Sequence, residues 1–245
     1  MPERLQKWLA GQGLGSRREI ERWISAGRIE VDGETAELGL KVTGEEKISI
    51  DGKPLRKRRN EQPQKSRVLI YNKPPGEICS RTDPDGRRTV FESLPKVVGA
   101  RWITVGRLDF QTTGLLLVTT DGELANKMMH PSSELKREYV VRALGELSDE
   151  QQQKLLRGIQ LEDGPAKFDS LLQAEGEGAN KSYRVVVSEG RNRIIRRLFE
   201  AVGYRVNRLM RVSYGSIALP RNLRPGKYQE LSDQQVANLI DSVQG

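Results

Sequence analysis

Residues 106–120 read GRLDFQTTGLLLVTT. An apolar run, Ile103-Thr104-Val105, leads into this stretch, and Leu115-Leu116-Leu117-Val118 leaves from its second half. Two apolar runs of strand length separated by polar residues predict two buried strands bracketing one loop. Asp109 is then a carboxylate on a loop anchored at both ends, with Arg107 two residues ahead of it. Chemistry is often placed in such loops, because the strands hold the side chains while the loop stays open to substrate. The same residues also suit a plainer role, in which Asp109 turns the chain and Arg107 pairs with it at the surface.

Downstream, Thr120 and Glu123 have capping-box spacing and predict a helix that carries Leu124, Met128 and Met129 inward, the methionines as core filler. REYVVRAL follows as a strand whose alternation puts Tyr139 and Val141 on one face. Ser148 and Gln151 cap a short helix, Asp163-Gly164-Pro165 marks a turn, and YRVVVSEGRNRIIRRLFEAVG reads as strand, turn and helix. At about 100° per residue, Ile195, Leu198, Phe199 and Val202 form the apolar face of that helix. Arg193 and Arg197 lie nearly opposite, toward solvent or phosphate, and Arg196 sits at the flank, placed to reach sideways from the core edge. LSDQQVANLIDSV closes the pattern as a packing helix capped by Ser232 and Gln235.

Upstream, VLIYNKPPGE is a strand ended by Pro74-Pro75-Gly76, and DPDGRRT is a turn-rich loop exposing Arg87 and Arg88. Lys53 to Arg67 is basic and lacks hydrophobic period, so it reads as a linker and separates a domain at 1–60 from one at 65–245. Before it stand two short helices, the second capped by Ser16 and Glu19, and then two strands, IEV and ISI, ending in Asp32-Gly33 and Asp51-Gly52 turns. Arg17 and Arg18 fall in the first turn of the second helix, where positive charge opposes the macrodipole. A phosphate bound by the free amides and the guanidinium forks would offset that cost, although a solvated basic face needs no partner.

The 245 residues carry 41 Lys and Arg against 33 Asp and Glu, a net charge of +8, with 36% hydrophobic residues. Such an excess favours polyanionic partners, because phosphate contacts release condensed counterions. No apolar run approaches the roughly 20 residues that span a bilayer, and the first residues lack the apolar core of a signal peptide, so a cytoplasmic protein is expected. Cys79 and His130 are the sole residues of their kinds, which leaves no internal disulfide and no metal cluster to build. No phosphate loop or nucleotide fingerprint is present, and no cofactor is expected.

Read whole, GRLDFQTTGLLLVTTDGELANKMMHP with the following REY closely resembles the signature of ribosomal RNA pseudouridine synthases, specifically the A-type family named for its small-subunit enzymes. YNKPPGEICS before it and EGRNRIIRRLFEAVG after it fit the same pattern in order, and the first 50 residues resemble the S4 RNA-binding domain. The resemblance implies an α+β protein: a small S4 domain of two helices and short strands, then a mixed, mainly antiparallel sheet with flanking helices. It implies detachment of uracil from ribose at N1 and reattachment through C5, with Asp109 either attacking C1′ or removing a ribose proton. Tyr139 would stack on the flipped base, Arg196 would favour the charge of Asp109, and Arg107 would fill the gap left by flipping. RNA contacts carry over to Arg17, Arg18, Arg22 and Arg28, with Arg193 and Arg197 beside the site. The family often has glutamine where this chain has Ile194, so a polar contact is not expected there.

Within the family the pattern is most similar to members acting on the large subunit, so the expected substrate is 23S ribosomal RNA or an assembly intermediate containing it, bound by a monomer. The alternatives are a uridine of 16S RNA, a non-catalytic S4-type assembly factor, and a hydrolytic glycosidase. The last is disfavoured because no second acid in a comparable loop stands out, and hydrolysis ordinarily uses two.

Overall fold

The computed structural model describes residues 2–55, 65–174 and 179–243. Its contacts divide into two compact units, one of Met1–Ser66 with Lys96–Trp102, the other of Arg67–Pro95 with Ile103–Gly245. Much of the basic linker expected between Lys53 and Arg67 lies outside the described residues.

In the first unit, α1 (Leu5–Gly11) and α2 (Arg17–Ser25) pack on a small antiparallel sheet. The capping box is present, with the Glu19 amide donating to Ser16 Oγ at 3.1 Å and the Ser16 amide to the Glu19 carboxylate at 3.2 Å. Strand β1 (Ile29–Val31) turns into β2 (Glu34–Thr35) and pairs with β3 (Ile48–Ile50), which turns into β4 (Lys53–Pro54). The two turns place Asp32, Gly33, Asp51 and Gly52 at positive φ, which Asp-Gly pairs accommodate. Leu5, Leu9, Ile20, Ile24, Ile29 and Ile48 form the core between helices and sheet. Arg17, Arg18 and Arg22 remain exposed on α2.

The second unit is built on a nine-stranded sheet. In chain order its strands are β5 (Val68–Lys73), β6 (Ile103–Val105), β7 (Thr113–Thr119) and β8 (Arg137–Leu144), with α3 (Gly122–Met129) between the last two. Helix α4 (Asp149–Arg157) and a separate hairpin of β9 (Ile159–Leu161) and β10 (Gly164–Ala166) follow. Next come β11 (Ser170–Ala174), β12 (Asn180–Val187), α5 (Ile194–Ala201), β13 (Val206–Tyr214), β14 (Ile217–Ala218), β15 (Tyr228–Glu230) and α6 (Asp233–Asp241). The order across the sheet is β11-β12-β8-β13-β7-β5-β15, with β14 on β13 and β6 on β7. Every junction is antiparallel except β13 with β7, where Met210 faces Thr113 and Arg211 faces Gly114.

That parallel seam joins two half-sheets, each with its own helical cover. Helix α6 and α3 bury Leu124, Met128, Val236 and Leu239 against β5, β6 and β7. On the other half, Phe199 of α5 lies 5.8 Å from Phe168 and 5.7 Å from Tyr183, ring centre to ring centre. Each fully buried side chain of this size contributes about 1.5–3 kcal/mol, so the covered face fixes the sheet.

Two local readings of the sequence are corrected. The cap of α3 is Asp121, whose Oδ1 accepts the Glu123 and Leu124 amides at 2.8 and 3.0 Å, and not Thr120. The Thr120 hydroxyl accepts the Arg67 amide instead, which ties β5 to the end of β7. Met129 is 39% exposed while Met128 is buried, because the helix ends there and only one methionine fits its inner stripe.

Candidate active site

The loop Gly106–Thr112 opens on a cavity of 810 Å³ within the second unit. Its walls come from the segment after β5, from the Asp109 loop and from the turn between β12 and α5, and its floor from β8 and β13. The strand seam explains the assembly. Arg211 is the Cα partner of Gly114 on one side and of Tyr139 on the other, so one row across three strands sets the start of β7 beside the tyrosine. Five residues before Gly114 stands Asp109, and Tyr139, Leu209 and Asp109 line one cavity.

Lys73 holds this loop from below. Its side chain is fully buried, and its Nζ donates to the carbonyls of Pro74, Phe110 and Thr112 at 3.0, 3.3 and 3.0 Å. The Phe110 carbonyl also accepts the Gly76 amide at 2.9 Å. A buried ammonium is costly unless its donors are satisfied, and here three carbonyls satisfy it while fixing the backbone on both sides of Phe110. Burial lowers the pKa of Lys73, opposed by the negative fields of Cys79, Glu77 and Asp109.

Three carboxylates line the cavity: Asp83, Asp109 and Glu189. Asp83 accepts the Arg87 backbone amide at 2.8 Å and its guanidinium at 2.7 and 2.9 Å, which holds its carboxyl at about 2. Glu189 is paired with Arg191. The Asp109 carboxylate, among the described residues, accepts no hydrogen bond and forms no ion pair. Two further acids therefore stand in the cavity, neither of which stood out in the sequence. Both are committed to arginines, and the ionised Asp83 is the opposite of the protonated acid that hydrolysis requires.

The sequence-predicted residues divide by location. Asp109, Tyr139, Arg107 and Arg193 line the cavity, and Ile194 lines it as an apolar side chain. Tyr139 is 9% exposed, and Arg107 reaches solvent with no partner among the described residues. Arg193 stands at the head of α5 with φ 50 and lies 3.8 Å from Glu200. Arg196 is buried but does not line the cavity. Its Nη1 donates to the Val206 carbonyl at 2.7 Å, and no ion pair joins it to Asp109. Burial and the charge of Arg193 lower its pKa, and the field of Asp109 raises it, so the two groups interact across space. Arg197 is bound to Asp163, away from the cavity. In the first unit, Arg28 is engaged by Asp51 at 2.5 and 2.8 Å and stacks 5.2 Å from the Trp23 ring centre, whereas Arg17, Arg18 and Arg22 have no partner among the described residues.

Lys73, Arg137 and Arg211 were not singled out from the sequence. Arg137 donates to Ser188 O at 2.8 Å and to Tyr214 Oη at 3.1 Å, and Arg211 Nε donates to Leu115 O at 2.7 Å. Both guanidinium groups lie about the Tyr214 ring, 4.9 and 5.1 Å from its centre, and Tyr214 Oη donates to Met128 O. They give the cavity floor a fixed positive lining. The one signal in the sequence was alternation: Arg137 shares its strand face with Tyr139, and Arg211 shares its face with Leu209.

The RNA pseudouridylate synthase family model matches residues 67–201, and the S4 domain model matches residues 3–48. The chain is 55% identical over 246 residues to the ribosomal large subunit pseudouridine synthase B of Shigella flexneri, covering 100% of this chain and 84% of that protein. The protein of the same name from Escherichia coli (strain K12) matches with the same identity and coverage. A solved structure of a pseudouridylate synthase superposes with a TM-score of 0.66 at 26% identity, covering 96% of this chain and 99% of the other. The α+β architecture, the mixed and mainly antiparallel sheet and these matches agree, and the chain belongs to the RNA pseudouridylate synthase family, as a pseudouridine synthase with an N-terminal S4 domain.

Proposed function

We propose that this protein converts one uridine of 23S ribosomal RNA to pseudouridine, with Asp109 as the group that begins the reaction. The observation that carries this reading is the state of Asp109: among the described residues it is the cavity carboxylate without a committed partner, on a loop clamped by buried Lys73. An uncommitted carboxylate on a rigid backbone is free either to attack C1′ or to take a ribose proton, and both routes break the N1–C1′ bond. The base stays in the cavity and C5 bonds to C1′, as the Asp109–C1′ bond breaks on the first route or Asp109 returns the ribose proton on the second; the C5 proton then passes to solvent while N1 gains one. No second carboxyl is needed, because no leaving group departs.

Tyr139 and Leu209 offer a flat ring and an aliphatic side chain for the uracil, which must leave its stack to reach Asp109. Arg107, exposed at the cavity, fills the gap left by the flipped base, and Arg193 binds backbone phosphate near it. Arg196 lies within the field of the Asp109 carboxylate and acts on it across space, without a direct contact. Arg197 and Arg28 already have carboxylate partners, so their part in RNA binding requires exchange of Asp163 and Asp51 for phosphate. The large-subunit target rests on the names of the relatives, which are large-subunit enzymes. Such a target places the protein in the cytoplasm, and no helix among the described residues is long and apolar enough to cross a membrane.

The test is to incubate purified protein with 23S and with 16S RNA and map pseudouridine along both. A single new mark in 23S RNA is expected; a mark in 16S RNA alone would overturn the target, and none in either would overturn the activity.

Two further outcomes follow. Lys73→Met is expected to lower kcat by roughly 10²-fold, the usual cost of misplacing a reacting group by about 1 Å, with RNA affinity within about twofold. Single-turnover kinetics at saturating protein separates the two. Arg17→Ala with Arg18→Ala is expected to weaken RNA binding and to reduce the slope of log affinity against log salt by about 1.4–1.8, two phosphate contacts' worth. An unchanged slope in a salt titration would remove α2 from the RNA interface.

A further inference from the structure

The sheet face opposite the cavity carries an unusual pairing. Arg142 on β8 and Arg208 on β13 are direct cross-strand partners, and both are exposed. Like charges directly opposite destabilise a sheet, by a few tenths to about 1 kcal/mol. Neither arginine has a carboxylate partner among the described residues. The one acid next along this face of β8, Glu138, is taken by Arg184 at 2.6 Å. The same face carries exposed aliphatic side chains: Leu144, the next outward residue on β8, is 57% exposed, and Leu172 on the edge strand β11 is 64% exposed. Both covering helices of this half-sheet pack on the other face, with Leu155 and Phe199 buried there, so nothing among the described residues screens the two charges.

Alternation fixes the direction. Arg137, Tyr139 and Val141 are buried on the cavity side, so Arg142 projects from the reverse of the same strand. The geometry points to this reverse face as a second docking surface for substrate RNA, in which Arg142 and Arg208 grip the phosphodiester backbone of a segment remote from the flipped uridine. The inference rests on the reading of this protein as an enzyme of ribosomal RNA. Charge complementarity commits the occupant: two opposed guanidinium groups lacking counter-charges, in a chain of net charge +8, suit a run of phosphates. A bound backbone would also relieve the repulsion that the sheet otherwise bears. The consequence is substrate size dependence, because a short stem-loop fills the cavity side alone while a long RNA reaches both faces.

Three proteins test it: wild type, Arg142→Gln with Arg208→Gln, and Arg208→Glu, which sets an acid opposite Arg142 and should raise the thermal midpoint. Each is measured on a stem-loop containing the target uridine and on a long 23S fragment. The double variant should bind the long fragment roughly tenfold more weakly at about 0.15 M salt and reduce its salt slope by about 1.8. Arg208→Glu should lose a similar amount of affinity for the long fragment while melting higher. Turnover of the stem-loop at saturation should be unchanged in both. If both variants bind the long fragment as the wild type does, the surface is a solvated face or a protein-binding one, and the inference is overturned. Lack of turnover of the stem-loop by wild type would instead overturn the enzymatic reading, and the binding comparison would still judge the surface.

Discussion

Asp109→Asn is expected to abolish pseudouridine formation, lowering kcat by about 10⁴-fold or more, while leaving the fold and RNA binding in place. The carboxamide fills the same space but is neither a nucleophile nor a base at neutral pH. Because the Asp109 carboxylate accepts no hydrogen bond from the described residues, its replacement should move the thermal midpoint by no more than about 2 °C. The loop itself is held by backbone carbonyls on Lys73 Nζ and by the Thr112 amide on the Asp109 carbonyl at 3.0 Å, and these survive the change. Single-turnover assays with the variant in excess over RNA measure the loss, and filter binding checks that affinity stays within about threefold. A variant retaining a tenth of the wild-type rate would remove Asp109 from the chemistry.

The largest effect on stability is expected at Gly114→Ala. Gly114 has φ +95, and a Cβ there would lie 2.3 Å from the Arg211 carbonyl oxygen and 2.9 Å from Met210 Cγ. The first contact is with backbone, so relief requires β7 and β13 to separate at the one parallel junction of the sheet. Backbone strain of about 1–2 kcal/mol adds to the steric cost, and a total of at least about 3 kcal/mol is expected. For a chain of this size that lowers the thermal midpoint by roughly 6–12 °C. Circular dichroism melts of the variant measure it, and a shift under about 2 °C would mean that the seam is looser than the structure has it. Activity should fall as well, because the same seam aligns the Asp109 loop with Tyr139.

The local elements were legible because their signals are local. Ser16 with Glu19, Ser148 with Gln151 and Ser232 with Gln235 all cap helices as their spacing predicts, and both Asp-Gly turns close hairpins in the first unit. The Asp121 cap was missed because Thr120 and Glu123 present an equally good pattern one residue earlier, and only the Arg67 amide decides between them. Periodicity placed Arg196 at the flank of its helix, but not its hydrogen bond to Val206, a strand residue. Lys73 and Arg211 escaped notice for the same reason: a cation in a strand reads as an exposed position until the carbonyls that surround it are known. Arg28 read as a phosphate contact, and its carboxylate partner lies 23 residues along the chain. Asp109 and Tyr139 came from a sequence pattern, whereas the commitment of Asp83 and Glu189 to arginines came from the structure.

The measurement that bears most directly on the proposed activity is pseudouridine mapping of both ribosomal RNAs in cells that lack this protein, complemented with wild type or with Asp109→Asn. One 23S mark should disappear, return with wild type, and stay absent with Asp109→Asn although that protein accumulates to the same level. Return of the mark with Asp109→Asn would contradict the role of Asp109, and persistence of every 23S mark in the deletion strain would contradict the target.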